Sequence, residues 1–149
     1  MTPSDVRLDQ GHPLAALVGR VVALTRSVTE ADVLGFAEIS GDRAPHHVDE
    51  DYVRMTSMGR RVAHGALLIG YASAASTAMS EQAAQHVVSV GYDRVRFIKP
   101  VFIGDVVTVR YSVTDYDPAK RRTIAQIEIT NQEGQLVAVA NHLLQAWDD

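Results

Sequence analysis

The stretch HGALLIGYASAASTAM, residues 64–79, constrains the fold more than any other part of the chain. Its residues are small or apolar on nearly every face, and a helix without a polar stripe must be covered on all sides. His64, Tyr71 and several hydroxyls interrupt the run, which fits a helix buried in protein rather than a membrane span. Residues 86–146 are expected to supply most of a mainly antiparallel sheet. VVSVGYDRVRFIK precedes DVVTVRYSVTDY, in which Val107, Val109, Tyr111 and Val113 recur at period two. A DPAK turn leads to RTIAQIEIT, and NQEG joins that segment to QLVAVANHLLQAW as a hairpin. One apolar helix followed by four long antiparallel strands predicts an α+β fold, a curved sheet wrapped around a central helix. Such a sheet covers the helix on one side only. A second copy of the chain would cover the rest, so a homodimer or a larger even-numbered homo-oligomer is expected.

The first part of the chain supplies fewer elements. LVGRVVALTR fits one short strand. TEADVLGFAEIS begins as a helix, with Thr29 as N-cap and Glu30 and Asp32 in the first turn. Val33, Phe36 and Ala37 share one of its faces, and SGD ends it. Asp49 is placed to cap a short helical turn in EDYVRMT. With 149 residues and no repeat, linker or low-complexity segment, one domain over residues 1–149 is expected. A net charge of −4 argues against nucleic acid as a partner. The absence of cysteine excludes disulfides and thiolate chemistry. The first residues lack the basic-then-apolar order of a signal peptide, so a cytoplasmic location without membrane association is the expectation.

Chemistry concentrates in SGDRAPHHVDED, residues 40–51, where two histidines follow Asp42. Gly-Asp before a proline is turn chemistry, and a histidine pair in a loop is ordinarily solvated. The loop, however, directly precedes the apolar helix, which begins AHG. Amides at a helix start have no intrahelical partner and stabilise negative charge. An acid/base pair beside such amides can hydrate a double bond conjugated to a carbonyl. A metal reading of His46, His47 and His64 is weaker, because adjacent histidines do not easily face one ion, and no metal is expected. Tyr71 and Met79 read as core or pocket wall.

FAEISGDRAPHHVDEDY followed by RRVAHGALLIGYAS resembles the motif of MaoC-like, (R)-specific enoyl-CoA hydratases, and RFIKPVFIGDVVTV continues the likeness. The resemblance spans roughly residues 25–146 and implies a hot-dog fold. It implies that Asp42 and His47 are the catalytic pair, with His46 at the variable position before it. The Gly65 amide matches the family's oxyanion hole, and Ser73 matches a serine lining the site. His64, at the helix start, is grouped with Ser73 among the substrate-binding residues. Ala44 stands where the family usually has asparagine, which removes one side-chain amide from the loop.

The implied reaction explains these residue types. Water adding to a trans-2-enoyl thioester needs a base for its proton, an acid at C2 and donors for the charge on the thioester oxygen. Asp42 and His47 would share the base and acid roles on one water. No cofactor is required beyond the coenzyme A carried by the acyl-CoA substrate. Arg94, Arg96 and Lys99 lie on or near a strand; beside a solvated face, the sharper reading has Lys99 or its neighbours meeting the coenzyme phosphates. Two other functions fit the same residues, a hot-dog thioesterase and a non-catalytic acyl-CoA-binding module.

Overall fold

The computed structural model describes residues 11–147; the outermost residues of the expected 1–149 domain lie outside that range. A 3-10 helix, Pro13–Leu17, leads into β1, Val21–Ser27, the short strand expected from LVGRVVALTR. Helix α1, Glu30–Ser40, is held at its start by a capping box in which Thr29 and Asp32 bond reciprocally. It ends at Gly41, whose φ of 79° is the left-handed conformation that glycine adopts without penalty. Two short helices come next, α2 over Pro45–Val48 and α3 over Glu50–Arg54. The Asp49 carboxylate caps α3 by accepting from the Tyr52 N–H at 3.0 Å. The histidine pair therefore sits in a helical turn rather than a loop, because Pro45 at its first position is pre-set for helix.

Helix α4, Gly65–Glu81, is the apolar helix. β2, Val87–Phe97, β3, Val106–Asp117, β4, Arg122–Thr130, and β5, Leu136–Ala146, complete the chain. All pairings are antiparallel, and the sheet order is β1-β3-β4-β5-β2. The first long strand after α4 thus pairs with the last one and forms an edge. Period-two residues of β3 and β4 (Val107, Val109, Tyr111, Ala125, Ile127 and Ile129) are buried in one core with Leu68, Ala72, Ala75 and Met79 of α4. Each such Leu or Met withdrawn from water contributes about 1.5–3 kcal/mol.

Burial of α4 is one-sided in the single chain. Leu68, Tyr71, Ala72, Ala75, Ser76, Met79 and Ser80 are buried, whereas Ala66, Gly70, Ser73, Ala74 and Thr77 form an exposed stripe of small residues. This agrees with the expectation that the sheet covers the helix on one side only. The sheet alone reaches one side, and the remaining side is nearly flush because its side chains are short.

His142 of β5 lies in the core with no exposure. Its Nδ1 is 2.8 Å from the Tyr111 hydroxyl and its Nε2 is 2.7 Å from the Ser89 hydroxyl, so both ring nitrogens have partners. Tyr92 stacks on the ring with centroids 4.2 Å apart. Burial pushes the imidazole down to about 4, so it is neutral near pH 7 and bonds β2, β3 and β5 together without a buried charge.

The one-sided packing of α4 separates neighbouring alanines. Ala75→Leu inserts methylenes beneath the helix, and urea denaturation is expected to show a loss of about 1–3 kcal/mol. An unchanged midpoint would contradict the packing described for this face.

Candidate active site

Asp42 follows the glycine that ends α1, and its position is set by short-range bonds. The Asp42 N–H donates to the Ser40 hydroxyl at 3.1 Å, and Oδ1 accepts from the Ala44 N–H at 3.2 Å. The carboxylate is oriented by main chain, so alanine in place of asparagine at residue 44 leaves this bond intact. What the substitution removes is a side-chain cap for α2, since Ala44 occupies its N-cap and makes no capping bond.

His47 is only 7% exposed, and its Nδ1–H donates to the Val62 carbonyl at 2.6 Å. That bond fixes the tautomer and leaves Nε2 as the basic nitrogen. His64, next to the start of α4, stacks on His47 with ring centroids 3.7 Å apart. Phe36 packs against the His64 ring, with centroids at 4.7 Å. His64 does not cap its helix; its Nε2–H donates to the Asp42 main-chain carbonyl at 2.9 Å. Its Nδ1 is therefore an acceptor, and it is buried with no partner among the described residues.

A carboxylate oxygen of Asp42 and one ring nitrogen each of His47 and His64 lie within 4.8 Å of one another. The sequence pairing of Asp42 with His47 is thus brought together in space, and His64 joins it. A trio this close is compact enough for a metal ion, and equally for one water. The two imidazoles are stacked at 23°, however, so their in-plane lone pairs run side by side rather than converging on a point. Burial is the main cause holding the His47 imidazole below its ordinary value; the Val62 carbonyl pulls the other way, His64 and His46 lower it further, and Asp42 raises it.

Residues 61–63 hold this site to the helix start. The Val62 N–H donates to the His46 carbonyl at 3.0 Å and Ala63 N–H to the Val101 carbonyl at 2.7 Å, while Ile103 N–H donates to the Arg61 carbonyl at 3.2 Å. Arg61 also pairs with Glu30 and Glu50, tying the segment to α1 and α3. Gly65 then opens α4, where its N–H has no helical carbonyl to meet. A Cβ on Gly65 would stand 2.6 Å from the Phe97 ring, so a larger residue would displace that ring.

A cavity of about 370 Å³ adjoins these groups, lined by His46, His47, Gly65, Leu68, Phe97 and Lys99 among others. It brings together three of the residues singled out in the sequence, His47, Gly65 and Lys99. Asp42 and His64 stand outside its lining, grouped around His47. Ser73 lies two turns along α4 on the open stripe, outside this lining. Arg94 has a φ of 52° at an irregularity of β2, and neither it nor Arg96 lines the cavity. Phe97, Leu68 and Met58, also in the wall, were not singled out by the sequence. An apolar residue contributed from a separate segment carries no local signal of a pocket.

Comparison with known proteins gives a consistent picture. Residues 15–135 match the model of the MaoC like domain. A 3-hydroxybutyryl-CoA dehydratase of Methylorubrum extorquens is 34% identical over 128 residues, 85% of this chain and 78% of the relative. An (R)-specific enoyl-CoA hydratase of Rhodospirillum rubrum is 36% identical over 104 residues, 69% of each chain. Among solved structures, an unliganded (R)-hydratase from Pseudomonas aeruginosa superposes with a TM-score of 0.74 at 30% identity, covering 89% of this chain and 83% of that one. The (R)-hydratase from A. caviae gives 0.76 at 29% identity, covering 86% and 95%. The architecture is a hot-dog fold.

The hydrogen bond to Val62 and the burial of the ring define an observable. In a nitrogen-detected NMR titration, His47 is expected to carry its neutral proton on Nδ1 and to titrate below the 6.5 of an unperturbed imidazole. A midpoint above that value, or a proton on Nε2, would contradict this geometry.

Proposed function

The chain belongs to the MaoC-like dehydratase family, and from that premise we propose that Asp42 and His47 jointly activate water in the (R)-specific hydration of trans-2-enoyl-CoA thioesters. The chain is a lyase, catalysing this addition and its reverse, the dehydration of 3-hydroxyacyl-CoA. The observation that carries the assignment is the tautomer of His47. With Nδ1–H committed to Val62, Nε2 is left as the basic nitrogen of a ring that offers one of its nitrogens within 4.8 Å of an Asp42 carboxylate oxygen and a His64 nitrogen.

The steps follow from the groups present. Water held by Asp42 and His47 loses a proton as its oxygen attacks C3, and the same pair returns a proton to C2. The Gly65 N–H supports the charge that builds on the thioester oxygen. The unpartnered Nδ1 of His64 accepts from the same water or from the substrate, which is how His64 serves binding. Lys99, in the cavity wall, meets the coenzyme portion of the substrate. Residues 1–149 act as a single hot-dog domain in the cytoplasm, without metal or other cofactor. Among the described residues, no helix is long and apolar enough to cross a membrane.

The catalytic proposal is tested with crotonyl-CoA, following enoyl absorbance and free thiol together. Loss of absorbance without thiol release is expected, unaffected by chelators; thiol release would favour a thioesterase. Asp42→Asn and His47→Ala are each expected to cost about 10²–10⁴-fold in turnover. The double variant should be little worse than either single one, since groups acting as a unit are non-additive. His46→Ala should be much milder, because its main-chain carbonyl holds Val62 and survives the change. Turnover in the hydration direction should fall as pH drops through the depressed His47 value, where the base becomes protonated.

The proposal extends to a homodimer. The open stripe of small residues on α4 and the unpaired edge of β2, near which Val90, Phe97 and Ile98 are exposed, are the surfaces available to a second copy. Light scattering should give a dimer or a larger even-numbered assembly, and Ala74→Arg should yield a folded monomer by the same measurement. A wild-type monomer independent of concentration would overturn this part.

A further inference from the structure

The ring of Phe97 comes closer to the start of α4 than a side chain at residue 65 would permit. A Cβ on Gly65 would lie 2.6 Å from its Cε2 and Cζ and 2.8 Å from its Cε1, so the bare glycine is what admits the end of the ring. In a helix the Cα–Cβ bond tilts toward the N-terminus, the direction in which the first amide N–H groups also point. The ring therefore stands at the same end of the helix as the Gly65 N–H. Phe97, Gly65 and His47 all line the cavity of about 370 Å³.

Phe97 owes its direction to an extra residue in β2. Between Asp93 and Arg96 the strand advances three residues while β5 advances two, from Asn141 to Val139. Arg94 lies inside this bulge at a φ of 52°, a left-handed conformation that is costly for any residue except glycine. Tyr92 and Val95, on either side of the bulge, consequently both pack against the core, and Phe97, two residues further on, continues that face. Without the extra residue Phe97 would take the opposite face. The side chain is nonetheless 54% exposed, so the ring is a wall of the cavity and not a member of the core.

We propose that Phe97 is a specificity-determining residue, a wall beside the thioester carbonyl that favours enoyl groups unbranched at C2. The inference rests on the hydratase reading for the reaction and for the Gly65 N–H as donor to the thioester oxygen. That oxygen is carried by C1, and C2 is the next carbon, so these two atoms lie nearest the donor and the ring beside it. A methyl group on C2 is the smallest change that widens the substrate there, and an aromatic ring yields to it less readily than an aliphatic side chain. One carbon more or less in an apolar site is ordinarily worth about 10–200-fold in selectivity.

The experiment compares crotonyl-CoA with 2-methylcrotonyl-CoA. Phe97→Leu removes the ring atoms nearest Gly65 and keeps an apolar side chain. It is expected to lower the kcat/KM ratio of the two thioesters about tenfold, and Phe97→Ala at least as much. Lys120→Ala, on the β3–β4 turn, should leave the ratio unchanged. Lost packing alone would slow both substrates equally, so a ratio insensitive to Phe97, or one that Lys120→Ala moves as far, overturns the proposal. A second readout does not depend on turnover. Butyryl-CoA and 2-methylbutyryl-CoA have no double bond to hydrate; by calorimetry the wild type should bind the first more tightly, and Phe97→Leu should reduce that preference. If the wild type shows this preference but hydrates neither enoyl thioester, the hydratase reading fails and the wall stands. If it hydrates crotonyl-CoA and Phe97→Leu moves neither ratio, the wall fails and hydration stands.

Discussion

The structure depends first on the desolvation of α4. Seventeen residues of helix carry no charged side chain before Glu81, so water offers the helix no stable orientation and the sheet must supply one. The sheet does so through the alternate residues of β3 and β4, which place valine, isoleucine and tyrosine against Leu68, Ala72, Ala75 and Met79. Alanine at the contact positions lets the helix approach the strands closely. That approach fixes the height of the helix N-terminus above the sheet, and so determines where the Gly65 amide lies.

Around that fixed point the chemistry is arranged by hydrogen bonds rather than by packing. The His47 ring is oriented by the Val62 carbonyl, Asp42 by the Ala44 amide, and His64 by the Asp42 carbonyl. All three partners are main-chain groups. Side-chain variation in the loop, such as alanine at residue 44, therefore changes helix capping and local polarity without dissolving the constellation. The stacked rings of His47 and His64 are likewise each held by a main-chain carbonyl.

The elements with strong local signals were legible in the chain. Thr29 and Asp32 announce α1 by their capping chemistry and Val107 to Val113 announce β3 by period two, whereas Asp42, His47 and Gly65 are picked out through the resemblance of their motifs. The pairing of β2 with β5 was not legible, since partner choice between strands far apart depends on the whole sheet. The turn that became α2 looked like a loop because four residues are too few for a periodic pattern. The wall of the cavity comes from segments around residues 46, 58, 68 and 99, and only the folded chain brings them into register.

Residues 61–63 have a mechanical meaning beyond their role as connectors. Their main chain is bonded to α2 on one side and to residues 101–103 on the other, and it runs directly into the first turn of α4. His47's helical turn and the Gly65 amide are therefore suspended from the same three residues. A short beam of this kind ties the two groups together locally, so their mutual alignment does not call for stiffness throughout the molecule.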